Sequence, residues 1–231
     1  MNKRTTPLWF DRMLIRLMAG RSLGLAEARR SFTWLFTERI PFEKSKSFLL
    51  LLSRKGETAD ELLGCVQALQ TLEKIQKGAS IRGVMDTCGT GGDGRRTLNI
   101  STLVALVIAG AGGKIAKHGN RAISSRSGSS DLMEAFGVKL SASRKRMVLA
   151  TRRSGLGYFH APYHHPVFSK MQALRRSLKR PTILNLLGPL VNPLRLDYQL
   201  VGVGEKRLLP LYAKVLAKLG RKQALICHSR D

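Results

Sequence analysis

Residues 86–102 read DTCGTGGDGRRTLNIST, and their reading decides the fold. Four glycines in six positions are followed by two arginines, an asparagine and small or β-branched residues that lead into an apolar run. The segment GVMD just before reads as a strand ending at Asp86, and the run from Thr102 reads as a helix. Strand, glycine turn and helix place the turn at the C-terminal edge of a parallel sheet, where α/β proteins bind ligands. Unpaired N–H groups and the positive end of a helix dipole favour an anion there, and glycines let the backbone come close to it. The stretch lacks the Gly-Lys-Ser/Thr ending of a Walker loop and the spacing of a dinucleotide fingerprint. Taken alone, it is equally a tight connection with no ligand.

Downstream, short apolar runs alternate with helical patterns. GKIAK, a helix near Asp131 to Phe136, GVKL, a helix near Ser143 to Arg153, YQLVGV, a helix near Arg207 to Leu219 and ALIC follow in order. This alternation is the mark of an α/β domain with a mainly parallel sheet. Upstream the periodicity is helical throughout, with Trp9, Phe10, Met13, Leu14, Leu17 and Met18 on one stripe and Phe32, Leu35 and Phe36 on a second. Thr58 and Glu61 in GETADELL form a capping-box pattern opening a helix that is expected to run to about Lys77 and stop at Gly78. The chain is therefore read as a helical domain of about four helices over residues 1–77 and an α/β domain over 78–231.

Composition narrows the class. The 231 residues suffice for real cores, with 43% hydrophobic content. Cys65, Cys88 and Cys227 lie far apart, which argues against a disulfide framework or a zinc site and for a reducing, cytoplasmic compartment. Asp11, Arg12 and Arg16 interrupt the N-terminal apolar stretch, so it reads as an amphipathic helix rather than a signal peptide, and no run approaches a membrane span. Forty Lys and Arg against 15 Asp and Glu give a formal net charge of +25. Such a surface attracts any polyanion. A non-enzymatic nucleic-acid-binding protein on the same fold is one reading of that charge, and a solubility adaptation is another.

A second polar cluster follows one strand after the first. KHGNRAISSRSGSSD, residues 117–131, gathers Lys117, Asn120 and Arg121 with Ser124, Ser125, Ser127 and Ser129. Neighbouring strand ends of a parallel sheet would set this cluster beside the glycine turn, which suits a ligand with two separated phosphates. Helix capping before Leu132 accounts for at least one of the serines.

GTGGDGRRTLNIST, KHGNRAISSRSGSSDLMEAFGV and NLLGPLVNP together resemble the anthranilate phosphoribosyltransferase family. GRSLGLAEA, KGETADELLG and GYFHAPYHHP stand in the same order, so the likeness covers almost the whole chain. The resemblance implies a helical domain hinged to an α/β domain, a homodimer through the helical domain, a cleft between domains, and Mg2+. It implies transfer of a phosphoribosyl group from phosphoribosyl pyrophosphate to anthranilate with release of pyrophosphate. Carried over by motif, Gly89, Gly92, Asp93, Thr97, Asn99, Ile100, Ser101 and Thr102 would hold the donor, joined by Lys117, His118, Gly119, Asn120, Arg121, Ala122, Ile123, Ser124, Ser125 and Ser129. Ser101 would also serve a magnesium, and Gly89, Asn120 and Arg175 would contact anthranilate. A nucleoside phosphorylase relative shares the architecture, but KHGNR and NLLGPLVNP resemble the anthranilate enzyme more.

The implied chemistry suits these residue types. Displacement of pyrophosphate at the anomeric carbon develops charge on both fragments, so stabilisation and positioning should dominate. An aromatic amine is neutral at pH 7 and no general base is assigned; His164 and His165 are expected to pack or cap rather than transfer protons, and Asp93 to orient the loop and metal waters. Arg175 is either a bidentate carboxylate clamp or solvated helix surface within RRSLKR. The pattern departs from the family at Lys179 and Pro181, at His160-Ala161-Pro162 and at Thr97-Leu98-Asn99. It departs most at Asp231, where the family continues into an Asp-Glu metal pair and further strands. A fragment, an inactive short form and a half completed by another polypeptide are open. The first is favoured, and little or no pyrophosphate release is expected from the 231-residue chain.

Overall fold

A computed structural model describes residues 6–75, 81–91, 99–122 and 127–229. The chain divides into two compact units, residues 1–73 with 166–187, and residues 74–165 with 188–231. The segment 166–187, placed with the α/β half by sequence, thus belongs to the helical unit.

In the helical unit, α1 (Leu8–Met18), α2 (Leu25–Phe36), α3 (Phe42–Lys55) and α4 (Ala59–Leu72) enclose an apolar core. Phe10, Phe32, Phe48 and Leu52 are fully buried. The rings meet edge to face or tilted, with Phe32 5.2 Å from Phe48 and Phe10 5.4 Å from Phe48, arrangements that suit the aromatic quadrupole. The Thr58–Glu61 capping box forms in both directions at the start of α4. Buried Glu61 also accepts from Leu23 N–H at 2.9 Å and from Lys55 Nζ at 3.0 Å, so every element meeting there is tied to one carboxylate. The helix ends at Leu72, short of the expected Lys77, because Lys74 two residues on takes φ 51, outside the helical region. Lys77 and Gly78 lie outside the described residues. Two further helices, formed by Pro166–Lys170 and Gln172–Leu178, complete this unit.

The second unit begins with β1 (Val84–Gly89), α5 (Ile100–Gly110), β2 (Lys114–Gly119), α6 (Ser129–Ala135), α7 (Arg144–Ser154) and β3 (Leu156–His160). Numbering the intervening short helices α8 (Ala161–His164), α9 (Pro166–Lys170) and α10 (Gln172–Leu178), it resumes with β4 (Tyr198–Gly202), α11 (Leu208–Lys218) and β5 (Gln223–Cys227). Among the described residues the five strands form one parallel sheet in the order β3-β2-β1-β4-β5. The order reverses at β1, so the crevice at its C-terminal end is the topological switch point of the sheet. A core of Ile81, Val84, Ala116, Val148, Phe159, Leu194 and Leu196 lies on one face.

One expected strand is absent. GVKL, residues 137–140, is not a strand; the sheet takes LGYFH instead. Gly137 at φ 79 terminates α6, with its N–H on Glu134 O at 2.8 Å and Val138 N–H on Met133 O at 2.9 Å. That wraps the segment back onto the helix end and uses the N–H groups a ladder would need.

Candidate ligand site at the strand ends

The first turn leaves β1 at Gly89 and enters α5. Asn99 is the N-cap of α5, yet its side chain makes no capping bond. Its amide donates instead to Ser127 Oγ at 3.2 Å and Gly128 O at 3.4 Å, in the second turn. Thr102 and Leu103 N–H bond Asn99 O at 2.8 and 3.1 Å, so Ile100 and Ser101 carry the N–H groups left over at the positive end of the dipole of this 11-residue helix. Thr102, one turn in, is buried with its hydroxyl unpartnered.

The second turn leaves β2 at Gly119, where no larger residue fits. A Cβ there would stand 2.1 Å from Ser129 Oγ and 2.4 Å from Tyr158 Oη. Ser129 bonds Tyr158 Oη at 3.0 Å and receives Asn120 N–H at 3.2 Å, and Ser130 links the same phenol to His160 Nδ1 at 2.8 Å. Ser129 therefore braces the turn from below. Asn120 has its Oδ1 taken by Arg121 N–H at 2.8 Å. The Arg121 guanidinium is directed to Asp131 at 3.0 Å and Glu134 at 2.7 Å on α6. Those carboxylates hold its pKa above the ordinary arginine value. Ala122 gives its N–H to Asp131 at 3.2 Å.

Under both turns lies a buried polar network. Lys117 is 1% exposed and donates to Thr87 O at 2.6 Å and to Ser101 Oγ at 3.4 Å. Thr87 Oγ1 in turn donates to Ser101 O at 2.6 Å, so the lysine and threonine hold the start of α5 onto the ends of β1 and β2. Asp86 is fully buried and accepts from His118 N–H at 3.2 Å and Asn192 Nδ2 at 2.9 Å. Asn192 also donates to Ala116 O at 2.7 Å, and Arg221 Nε holds Gln199 Oε1 at 2.9 Å. Burial pushes the Asp86 carboxyl up and the Lys117 ammonium down, each shift opposed by the charge of the other.

The histidines are held neutral. His118 Nδ1 sits 3.1 Å from Gly188 O and its ring packs edge-on against His165 at 4.9 Å. Burial is the first cause lowering all three imidazoles, His118 well below the usual range, His164 to about 4 and His165 to about 3.

The structure thus brings Gly89, Asn99, Ile100, Ser101, Thr102, Lys117, His118, Gly119, Asn120, Arg121, Ala122 and Ser129 to one edge of one sheet. Gly92, Asp93, Thr97, Ile123, Ser124 and Ser125 lie outside the described residues. Arg175 belongs to α10 of the helical unit, where burial lowers its pKa and its guanidinium has no ion-pair partner among the described residues. A cavity of about 510 Å3 in that unit, lined by Leu35, Ile40, Phe42, Met171 and Leu174, involves none of the candidate residues.

Sequence reasoning missed Asp86, Asn192, Gln199 and Arg221 as supports, and the turn after β4 as the other wall of the switch point. There Thr90 N–H bonds Gly202 O at 3.0 Å and Gly204 N–H bonds Thr90 Oγ1 at 3.2 Å. The strand-ending glycines of VGVGEK were the available signal.

The described residues do not by themselves form a magnesium site. Ser101 Oγ faces the Lys117 ammonium, and among the described residues no cluster of three or more His, Cys, Asp or Glu could hold a metal.

Comparison with known proteins completes the description of the site. Residues 82–231 match the profile "Glycosyl transferase family, a/b domain", and residues 12–72 match "Glycosyl transferase family, helical bundle domain". An anthranilate phosphoribosyltransferase of Bacillus cereus is 45% identical over 213 residues, covering 92% of this chain and 62% of that protein. The chain accordingly spans about 62% of the length of the curated relatives it matches. The crystal structure of anthranilate phosphoribosyltransferase from Thermus thermophilus superposes with a TM-score of 0.87 at 36% identity, over 94% of this chain and 65% of that one. The enzyme from Saccharomyces cerevisiae, in complex with PRPP and Mg, gives 0.85 at 25% identity, over 96% and 66%.

Proposed function

The chain belongs to the glycosyl transferase family that pairs a helical bundle with an α/β domain, and on that premise we propose that it serves phosphoribosyl transfer from phosphoribosyl pyrophosphate to anthranilate. One observation carries this reading: the two strand-end turns are joined, Asn99 reaching from the first to Ser127 and Gly128 of the second. A space walled by a helix N-terminus on one side and a serine-rich turn on the other suits a sugar with phosphate at both ends.

Within this proposal each residue has a physical task. The N–H groups at the start of α5 hold donor phosphate. Lys117 stays beneath the floor, setting the distance between β1, β2 and α5 while adding positive potential. Departure of pyrophosphate is then assisted by fixed dipoles and charge that need no reorganisation during the reaction. The acceptor nitrogen attacks as the neutral amine and loses its proton to solvent. Arg175 is assigned to the anthranilate carboxylate on its half-buried, unpartnered guanidinium. Magnesium use is part of this proposal and rests on the yeast relative rather than on a ligand set in this chain.

A homodimer and a cytoplasmic setting complete the reading. Leu8, Ile15 and Met18 are 77%, 65% and 72% exposed on one stripe of α1, an apolar surface that a second copy of the chain would cover. Free Cys65, Cys88 and Cys227 agree with a reducing compartment, and no described helix is long and apolar enough to cross a membrane.

Calorimetric titration of phosphoribosyl pyrophosphate into the purified chain, with anthranilate and magnesium added in turn, tests the assignment. Donor binding is expected, weakened about tenfold or more by Asn99→Ala, while Arg175→Ala weakens anthranilate alone. A folded chain that takes up no donor sinks the proposal.

A further inference from the structure

Between Glu134 and Asp197 the sequence contains no acidic residue and twelve Lys and Arg. Five of these twelve lie in α7, RKRMVLATRRS. Val148 and Thr151 turn inward, 8% and 0% exposed, against the sheet. Lys145, Arg146, Leu149, Arg152 and Arg153 are exposed, and at about 100° per residue they fall within one third of the helix circumference. Lys145, Arg146 and Arg153 have no ion-pair partner among the described residues.

The helix itself argues against a merely solvated face. Arg144, Lys145 and Arg146 occupy its first turn with no acidic residue among them, so three cations oppose the positive end of the macrodipole. Arg152 and Arg153 in the last turn suit the dipole; the first-turn group has no such reason within the fold. The cationic row also extends past the helix. Ile115 N–H bonds Gly155 O at 2.7 Å, which sets exposed Lys114 beside the C-terminal end of α7. Lys114 opens β2, and the strand length puts it about 17 Å from Gly119 at the ligand edge. A small phosphorylated ligand at the strand ends does not reach it.

We propose that the exposed face of α7, continued by Lys114, binds the phosphate backbone of a nucleic-acid strand without reading its sequence. From Lys145 to Arg153 the row spans about 12 Å, longer than one phosphate or diphosphate can engage, and it matches a polymer that repeats its charge. Lys and Arg meet phosphate oxygens, which are common to every sequence, and the face carries no aromatic side chain on which bases could stack. A lipid surface fits less well, because Leu149 is the only apolar side chain on the exposed face and an interfacial helix needs an apolar side to insert.

The test uses the full chain and a fluorescein-labelled, mixed-sequence single-stranded oligonucleotide of about 20 nucleotides, followed by anisotropy across a salt series. The variant Lys145→Ala/Arg146→Ala/Arg153→Ala is compared with Arg12→Ala/Arg21→Ala/Arg29→Ala, which removes the same charge from exposed positions of the helical unit. The α7 variant is expected to weaken binding at least tenfold near about 100 mM salt and to reduce the slope of log K against log salt by about 2, with the control variant near wild type. Equal losses in both variants mean diffuse attraction to net charge and overturn the proposal. So does absence of binding by wild type at low salt, or capture of phosphatidylserine vesicles in preference to the oligonucleotide. Donor titration and thermal melts on the same preparations report on folding, so failure here leaves the phosphoribosyl assignment standing and the reverse also holds.

Discussion

Glu61 and Asp86 are both fully buried carboxylates, one in each unit, and they are held in opposite ways. Glu61 closes a capping box with Thr58, three residues away, and gathers Lys55 from the end of α3 and Leu23 from the connection between α1 and α2. Asp86 is held by the N–H of His118 on the neighbouring strand and by Asn192, 106 residues distant. The first is a local device that fixes a helix start. The second exists only once the sheet is assembled, and it lies directly beneath the two turns that form the candidate site. The difference teaches that buried charge in this chain secures a helix start in one unit and ties distant strands and loops together in the other.

The strongest challenge to that contrast is Asp86→Ala, which leaves Lys117 buried without a counter-charge and Asn192 with a lost acceptor. A destabilisation of about 4 kcal/mol is expected in urea unfolding, and adding Lys117→Met should recover part of it. No recovery would show that the two charges do not compensate each other. Glu61→Ala is expected to cost about 3 kcal/mol while leaving donor affinity of the folded fraction unchanged, since its partners are all in the helical unit. Acid should then separate the units further. The unfolded His165 imidazole takes a proton near pH 6.5, whereas the folded one resists until about 3. Stability therefore falls as pH drops through that window, by about 1.4 kcal/mol per pH unit for this group. His165→Gln should flatten the wild-type pH profile by that amount, and an unchanged profile would reject the neutral-histidine assignment. Thr58→Ala marks the small end, about 1 kcal/mol from the lost cap, with no change in the pH profile.

Local order explains what the sequence made legible. The capping box, the glycine turn after β1 and most helices announce themselves over fewer than about a dozen residues, through periodicity and capping chemistry. LGYFH does not read as a strand because Gly157, Tyr158 and His160 break the apolar look of a buried one: Tyr158 and His160 serve contacts with Ser129 and Ser130 some 30 residues upstream, and a Cβ at Gly157 would stand 2.2 Å from Thr151 Oγ1. GVKL misled because its alternation resembles a strand although Gly137 ends a helix. Asn192 reads as part of NLLGPLVNP and Gln199 as part of the strand YQLVGV, for nothing near them in sequence says that they meet Asp86 and Arg221. The passage of residues 166–187 to the helical unit is likewise a matter of tertiary packing, invisible to composition.

The placement of β1 at the reversal of the sheet has a further consequence for the chain as it is made. Its partner on the β4 side is written about 110 residues later, with Met85 opposite Tyr198, and at roughly 5–20 residues per second a ribosome takes on the order of ten seconds to supply it. During that interval the central strand carries an open hydrogen-bonding edge, and Asp86 waits for an asparagine not yet synthesised. An unpaired central edge of that kind invites pairing with other chains until β4 has been made and can close it.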